Sequence, residues 1–426
     1  MERKASNYRW LILLSNALLI VTLTSGNTTW AVAVEPLTKH FGLSATMIML
    51  GGTAFVLGFI VSNGIWAYLT EKIGFKKVGF IGVTTCVIAQ FLIPQMDSYA
   101  LVLLFRFFQG FGVCSTVIFF IVGMWFPEKE RGTAVGLIGA MFFGGFALGG
   151  LLVGFFEPMF GWQTTYTLIG VVGLIGEIQW LIITRLPREG ETIPDDDQLD
   201  APEVSIENGR VVSNRKSIWK SPAFYVLSLI YFADLFIAYS LADMTAVYFG
   251  ASGYSITQVG ILVSIAGWIG VVASPLGGFV SDMLSRKINK KSYVVRTWCM
   301  LLGGFLIAAI GCFITPAVGF SGFTASAICM VIACWGIPWM DCIGVATGID
   351  LFGKERGDKA VGYVLLLGGV GGVISPVLTT WIGDTYGWTP VWILMGVICL
   401  VGVVGCYLLT RCKPDYEMIS VQEVES

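Results

Sequence analysis

The sequence predicts an all-α membrane protein of twelve transmembrane helices arranged as two pseudo-symmetric six-helix halves. Three observations carry this. Hydrophobic residues make up 55% of the chain and charged residues only 13%, with a mean hydropathy of +0.78. Soluble proteins carry roughly 25% charge, so this chain lacks the polar surface to cover itself in water. Second, apolar segments of the ~20 residues needed to cross a bilayer recur along the chain. They lie near 10–34, 45–69, 78–96, 99–126, 132–156, 163–186, 222–249, 256–280, 294–316, 322–349, 359–383 and 388–410. Third, Lys and Arg fall on alternate connections. With the N-terminus inside, 24 of the 26 lie in cytoplasmic segments, Lys39 lies in an outer loop, and Arg106 lies within a span. Cytoplasmic loops are the basic ones in membrane proteins, so both termini are expected in the cytoplasm and the even helix count is supported.

MERKASNYRW leads into the first apolar segment without a small-residue cleavage site, so this segment is expected to be an uncleaved first span. The longest polar interruption, 187–221, is expected to be a partly disordered cytoplasmic linker between halves 1–186 and 222–410; residues 411–426 are a short cytoplasmic tail. Asp195, Asp196 and Asp197 in the linker are expected to be solvated rather than to bind metal. The ten cysteines form no C-x-x-C pair, and nine lie in apolar runs, so they are expected to be buried free thiols. The 53 glycines suit close helix packing. The net charge of −2 says nothing about nucleic acid, and with no basic stripe to suggest one, no nucleic-acid partner is expected. No metal or other cofactor is expected. GGVGG at 368–372 lies inside a span and is expected to serve packing, the single histidine, His40, is expected to be solvated, and no P-loop is present.

The halves repeat each other. FPEKERGTAVG (126–136) is echoed by LFGKERGDKAVG (351–362), and FGWQTTYTLIGVVGLI (160–175) by YGWTPVWILMGVICLV (386–401). Parallel repeats of six helices are the mark of one transporter architecture.

The chain resembles the major facilitator superfamily over essentially its whole length. AYLTEKIGFKK (67–77) is similar to the family's G-x-x-x-D-R-x-G-R-R loop, with Glu71 for Asp and Lys72 for Arg ahead of Gly74. GFVSDMLSRK, after the eighth span, matches through Gly278 and Asp282. RFFQG, Arg106 to Gly110, matches the family's R-x-x-Q-G signature. The resemblance implies that Glu71, Lys72, Gly74, Asp282 and Arg286 form a conformational latch, although ordinary topogenic charge explains the basic residues as well. Drug:proton antiporters of the superfamily carry G-P-x-x-G-G in helix five, whereas this chain has GFALGG (145–150) with Phe146 at the proline position, which favours a symporter or facilitator.

The resemblance also implies a pathway between the halves lined by helices one, four, seven and ten. Buried polar groups on these helices are then the site candidates. Asn27 and Trp30 lie three apart, with Thr24 on the same side, and Arg106 and Gln109 are likewise i and i+3. Trp335 and Trp339 flank Pro338 as a gate or substrate wall. Asp234, Glu177 and Asp341 are candidates for proton coupling. Asp234 is preferred over Asp243, because nine helical positions put the two on opposite faces and Asp234 lies nearer mid-membrane. Arg106 either pairs structurally with an acid, or binds an anionic substrate or adjusts a proton-carrying carboxylate. The expected function is proton-coupled import of a small organic solute of monocarboxylate type by a monomer in the cell membrane. An organic cation or neutral solute on the same fold is the alternative, supported by the buried acids and tryptophans. A transporter-like sensor that does not translocate is a third class. No feature supports catalysis.

Overall fold

The computed structural model describes residues 6–126, 128–188, 191, 205–207, 210–213, 218–318, 321–414 and 417–420. At 67, 71, 128, 129, 131, 132, 354–359 and in three short strands it describes the backbone alone. Asp195, Asp196 and Asp197 lie outside the described residues, as does the side chain of Glu71.

Among the described residues, eleven helical segments are long and apolar enough to cross a bilayer. They are α1 (Tyr8–Val32), α2 (Ala45–Thr70), α3 (Phe75–Gln95), α4 (Tyr99–Trp125), a segment Thr133–Ile183, α7 (Pro222–Ala251), α8 (Ile256–Lys287), α9 (Ser292–Val318), α10 (Phe323–Phe352), α11 (Ala360–Tyr386) and α12 (Trp388–Leu409). At ~1.5 Å per residue, the 51-residue segment is too long for one crossing. Gly161, with φ 77° and ψ 164°, breaks it into α5 (133–160) and α6 (162–183). The same break recurs at Gly387, with φ 86° and ψ 170°, between α11 and α12. These are the glycines of the repeated FGW and YGW, so the sequence repeat reappears as a repeated left-handed backbone turn that only glycine adopts without strain. The twelve spans place both termini at one end of the bundle, the terminal end; the opposite end is the far end.

The linker and tail contain more regular structure than expected. Ser205–Glu207 and Arg210–Ser213 pair antiparallel, and Arg210–Ser213 pairs with Glu417–Ser420 of the tail. At the start of the linker Arg185 clamps Glu191 through both carboxylate oxygens, at 2.6 and 2.7 Å, and packs over Tyr8 and Trp125. This clamp lowers the Glu191 carboxyl to about 2.

Within each half, helices meet through small residues. A Cβ on Gly110 of α4 would stand 1.9 Å from the Phe55 carbonyl oxygen of α2, and one on Gly58 would stand 2.1 Å from that of Phe107. Hydroxyls add cross-helix bonds: Thr24 donates to Phe142 O at 3.0 Å and Thr28 to Phe146 O at 2.9 Å, joining α1 to α5. Such bonds and close backbone approach replace the hydrophobic driving force that lipid removes. Thr24 thus serves helix packing and not the pathway.

The halves join from the far end to about mid-membrane. Thr46 bonds Asp384 at 2.6 Å, Thr53 bonds Val373 O at 2.8 Å, and Thr257 bonds Gly154 O at 2.6 Å. Along α5 and α8, Gly154 and Gly150 pack on Gly260, and Gly267 packs on Phe143 and Ala147. Toward the terminal end no hydrogen bond or ion pair joins the halves among the described residues. A Cβ at Gly64, Gly136, Gly139 or Gly362 would meet nothing within 4 Å. The described bonds between the halves thus lie from the far end to about mid-membrane.

Adding one methyl to a filled helix contact costs about 1–3 kcal/mol. Gly110→Ala should therefore lower the thermal unfolding midpoint of the detergent-purified protein, whereas Gly64→Ala, facing open space, should leave it unchanged.

Candidate functional site

The motif around Arg106 can be read residue by residue. Arg106 and Gln109 share the face of α4 turned toward α1 and α2, Gly110 lets α4 touch the backbone of α2, and α4 breaks after Phe111. At that break a Cβ on Gly112 would stand 2.5 Å from Cys86 N on α3. Arg106 is fully buried, at 0% exposure.

Its guanidinium makes a fan of contacts to neutral groups. Nε donates to Gly51 O at 3.0 Å. Nη1 donates to Gly26 O at 3.0 Å, to Gln109 Oε1 at 2.6 Å and to Tyr166 Oη at 3.3 Å. Nη2 donates to Asn27 Oδ1 at 3.3 Å, which leaves its second N–H without an acceptor among the described residues. The rings of Trp30 and Phe55 lie 5.0 and 4.8 Å from its Cζ. Trp30 is itself fixed by a bond from its indole N–H to Ile48 O at 2.9 Å. Hydrogen bonds from a charged group contribute ~1.5–3 kcal/mol each, and desolvated cation–π contacts ~2 kcal/mol. Together they hold a cation that could not otherwise stay in the membrane interior.

Among the described residues no carboxylate lies within 4 Å of Arg106. The acid it reaches is Asp243 of the other half, through one intermediary: Asn27 Nδ2 donates to Asp243 Oδ1 at 3.5 Å. Asp243 lies in a π-helical turn, Ser240–Met244, inside α7. Such i→i+5 turns are rare and often mark functional sites. Its Oδ2, the Ser240 and Thr245 hydroxyls, the Ser375 hydroxyl of α11 and Gln109 Nε2 are buried polar atoms without partners among the described residues.

The expected candidates divide by position. Asn27, Trp30, Arg106 and Gln109 stand together. Asp234 is buried in a different setting, near Asp341 of α10, with its Oδ1 and the Tyr231 hydroxyl both unpartnered among the described residues. Asp234 and Asp243 are both buried, and the π-turn at Ser240–Met244 interrupts the regular helix on which the opposite-faces argument for preferring Asp234 rests. Glu177 of α6 is bonded by Thr84 of α3, within the first half. Trp335 and Trp339 stack at 5.9 Å, but Trp339 faces α9, where its indole donates to Cys299 O at 3.2 Å and covers Gly303. That indole therefore lies in a packing contact and not beside Arg106.

At the terminal end Lys72 lies over the Tyr68 ring, the helix of α2 runs on to Ile73 and is capped by Gly74 with φ 85°, and Arg286 makes no ion pair among the described residues. Asp282 is bonded within its own half: Arg296 of α9 reaches Asp282 at 2.6 Å and Asp350 of α10 at 2.9 Å. His40 is exposed, with edge contacts to Phe41 and Trp162. Sequence reasoning did not single out Phe55, Tyr166, Asp243 as a site member, or Arg296 as a bridge.

Lys presents three donors from one point and cannot reproduce the guanidinium fork. Arg106→Lys should therefore lower the unfolding midpoint, as should Trp339→Ala. Only the first should also change the environment of Trp30, seen as a shifted Trp30 indole N–H resonance in NMR spectra of the otherwise intact protein, assigned by its loss in Trp30→Phe.

Comparison with known proteins agrees with this architecture. The Major Facilitator Superfamily profile matches residues 15–340 and 292–421. The chain is 25% identical over 357 residues to a hexuronate transporter of Bacillus subtilis, covering 81% of each protein. It is 24% identical over 440 residues to a probable galactarate/D-glucarate transporter, GarP, of Escherichia coli, covering 96% of this chain and 95% of the relative. Its fold matches an inward-facing crystal structure of a bacterial homologue of the lysosomal transporter Spinster, with a TM-score of 0.75 at 16% identity over 96% of this chain and 98% of that one. The chain belongs to the Major Facilitator Superfamily and is a multi-pass membrane transporter, not an enzyme.

Proposed function

We propose that the protein carries a small organic anion of monocarboxylate type, such as a sugar acid, together with a proton, by alternating access around Arg106. The observation that carries this reading is the uncompensated guanidinium. Arg106 lies buried where the halves meet, contacts only neutral acceptors, and keeps an uncommitted N–H on Nη2. A cation so placed attracts one anionic group, and a forked donor suits a carboxylate. Gln109 Nε2 adds a second free donor, and the unpartnered hydroxyls of Ser240, Thr245 and Ser375 suit a hydroxylated substrate. The relatives named for hexuronate and for galactarate and D-glucarate transport point to the same class. One arginine favours the hexuronate, which carries a single carboxylate, over the two dicarboxylates.

Proton coupling is supported by the buried acids Asp234 and Asp243 and the half-buried Asp341 in the second half. The basic loops support placement of the termini in the cytoplasm. In that orientation the end without bonds between the halves faces inward, and Lys72 and Arg286, together with Asp282 once it leaves Arg296, are placed to latch when the opening reverses. The reading requires only one copy of the chain.

Purified protein in proteoliposomes with an imposed pH gradient tests the reading. Labelled glucuronate should accumulate when the outside is acid, and Arg106→Ala should reduce uptake at least 10-fold. Lactate and gluconate extend the monoanion arm, with glucarate, tetraethylammonium and glucose as competitors. Uptake of tetraethylammonium with none of any carboxylate would overturn the reading in favour of a cation carrier.

A further inference from the structure

Asp243 is the one acidic group that reaches across to the first half at the level of Arg106, and it does so at a point built for close contact. Two adjacent glycines of α2 face in different directions there. A Cβ on Gly51 would stand 2.5 Å from the Trp30 ring under Arg106, and a Cβ on Gly52 would stand 2.8 Å from Asp243 Oδ2. A side chain at Gly52 would therefore push the halves apart, and one at Gly51 would push α1 from α2 beneath Arg106. Asn27 bridges the remaining gap, accepting from Arg106 and donating to Asp243. The other titratable groups facing Asp243 are Tyr166 of α6 and Tyr239 of its own helix. Residues 45–66 of α2, 256–281 of α8 and 364–383 of α11 contain no ionisable side chain, and α1 contains none between Trp10 and Val32.

We infer that Asp243 is the group that couples proton movement to anion movement, acting through the net charge of the closed site; this rests on the anion reading above. The closed region holds one fixed cation, Arg106, and one carboxylate. Burying net charge in a membrane interior is costly, whereas a compensated pair is tolerated. Two loading states are neutral. In the empty carrier, Arg106 and an ionised Asp243 compensate each other through Asn27. In the loaded carrier, the anion compensates Arg106 and a proton taken from the open side neutralises Asp243. Anion without proton leaves the site at −1, and proton without anion leaves it at +1; both resist closure. Only the neutral states pass between the two openings, so one proton moves with each monoanion and the cycle carries no net charge.

The test uses full-length protein in proteoliposomes, with glucuronate as probe. In Asp243→Asn the empty site carries +1 and cannot close, whereas the anion-loaded site is neutral and can. The variant should lose net pH-driven uptake at least 10-fold yet still exchange internal for external glucuronate, and Asp243→Glu should recover net uptake. In the wild type a membrane potential imposed with valinomycin should change uptake less than 2-fold. Retained pH-driven accumulation in Asp243→Asn, loss of exchange together with net uptake in a variant that melts normally, or wild-type uptake driven strongly by potential would each overturn the inference. If Asp243→Asn does not fold, the wild-type potential measurement decides alone. Failure of the anion reading itself would show differently, as absence of carboxylate uptake by the wild type.

Discussion

The burial of one guanidinium constrains everything around it. Arg106 cannot shed its proton, so each of its faces needs a partner that does not carry it toward lipid. Backbone carbonyls of Gly26 and Gly51, the amides of Gln109 and Asn27, the Tyr166 hydroxyl and two aromatic rings supply them. Four helices of the first half, α1, α2, α4 and α6, are drawn together by these contacts. The resulting site is rigid and positive, and its nearest acidic link belongs to the other half, through Asn27.

The rest of the bundle closes over that site toward the far end. Far-end hydroxyl bonds and glycine contacts between α5 and α8 hold the halves together above it. At the terminal end the charges stay within their halves, as in the bridge of Arg296 to Asp282 and Asp350. A rocking motion needs such an arrangement: each half is internally fixed, and the halves meet through hydroxyl bonds and close glycine contacts.

The fold was legible because bilayer physics writes it plainly. Twenty-residue apolar runs, alternating basic loops and the repeated FGW and YGW located twelve spans, including the break at Gly161 that separates α5 from α6. The site was legible where neighbours share a helix: Asn27 with Trp30, and Arg106 with Gln109. It was not legible where contact depends on tertiary approach. Phe55 and Tyr166 look like ordinary packing residues in sequence. Asp243 was set aside on regular-helix geometry, and the π-turn at Ser240–Met244 that turns it inward leaves no pattern in residue types. Trp339 misled in the opposite direction, because a tryptophan beside a proline reads equally well as a gate and as cover for Gly303 on α9.

The most direct measurement of the central claim is ligand-induced thermal stabilisation of the purified protein at pH 5.5 and 7.5, with monocarboxylates, dicarboxylates, quaternary amines and neutral sugars. A ligand that binds the folded state alone raises the melting temperature. The account predicts stabilisation by a monocarboxylate, stronger at pH 5.5, where the accompanying proton is available. Stabilisation by a quaternary amine, with none from any carboxylate, would contradict it and leave Arg106 as a structural cation.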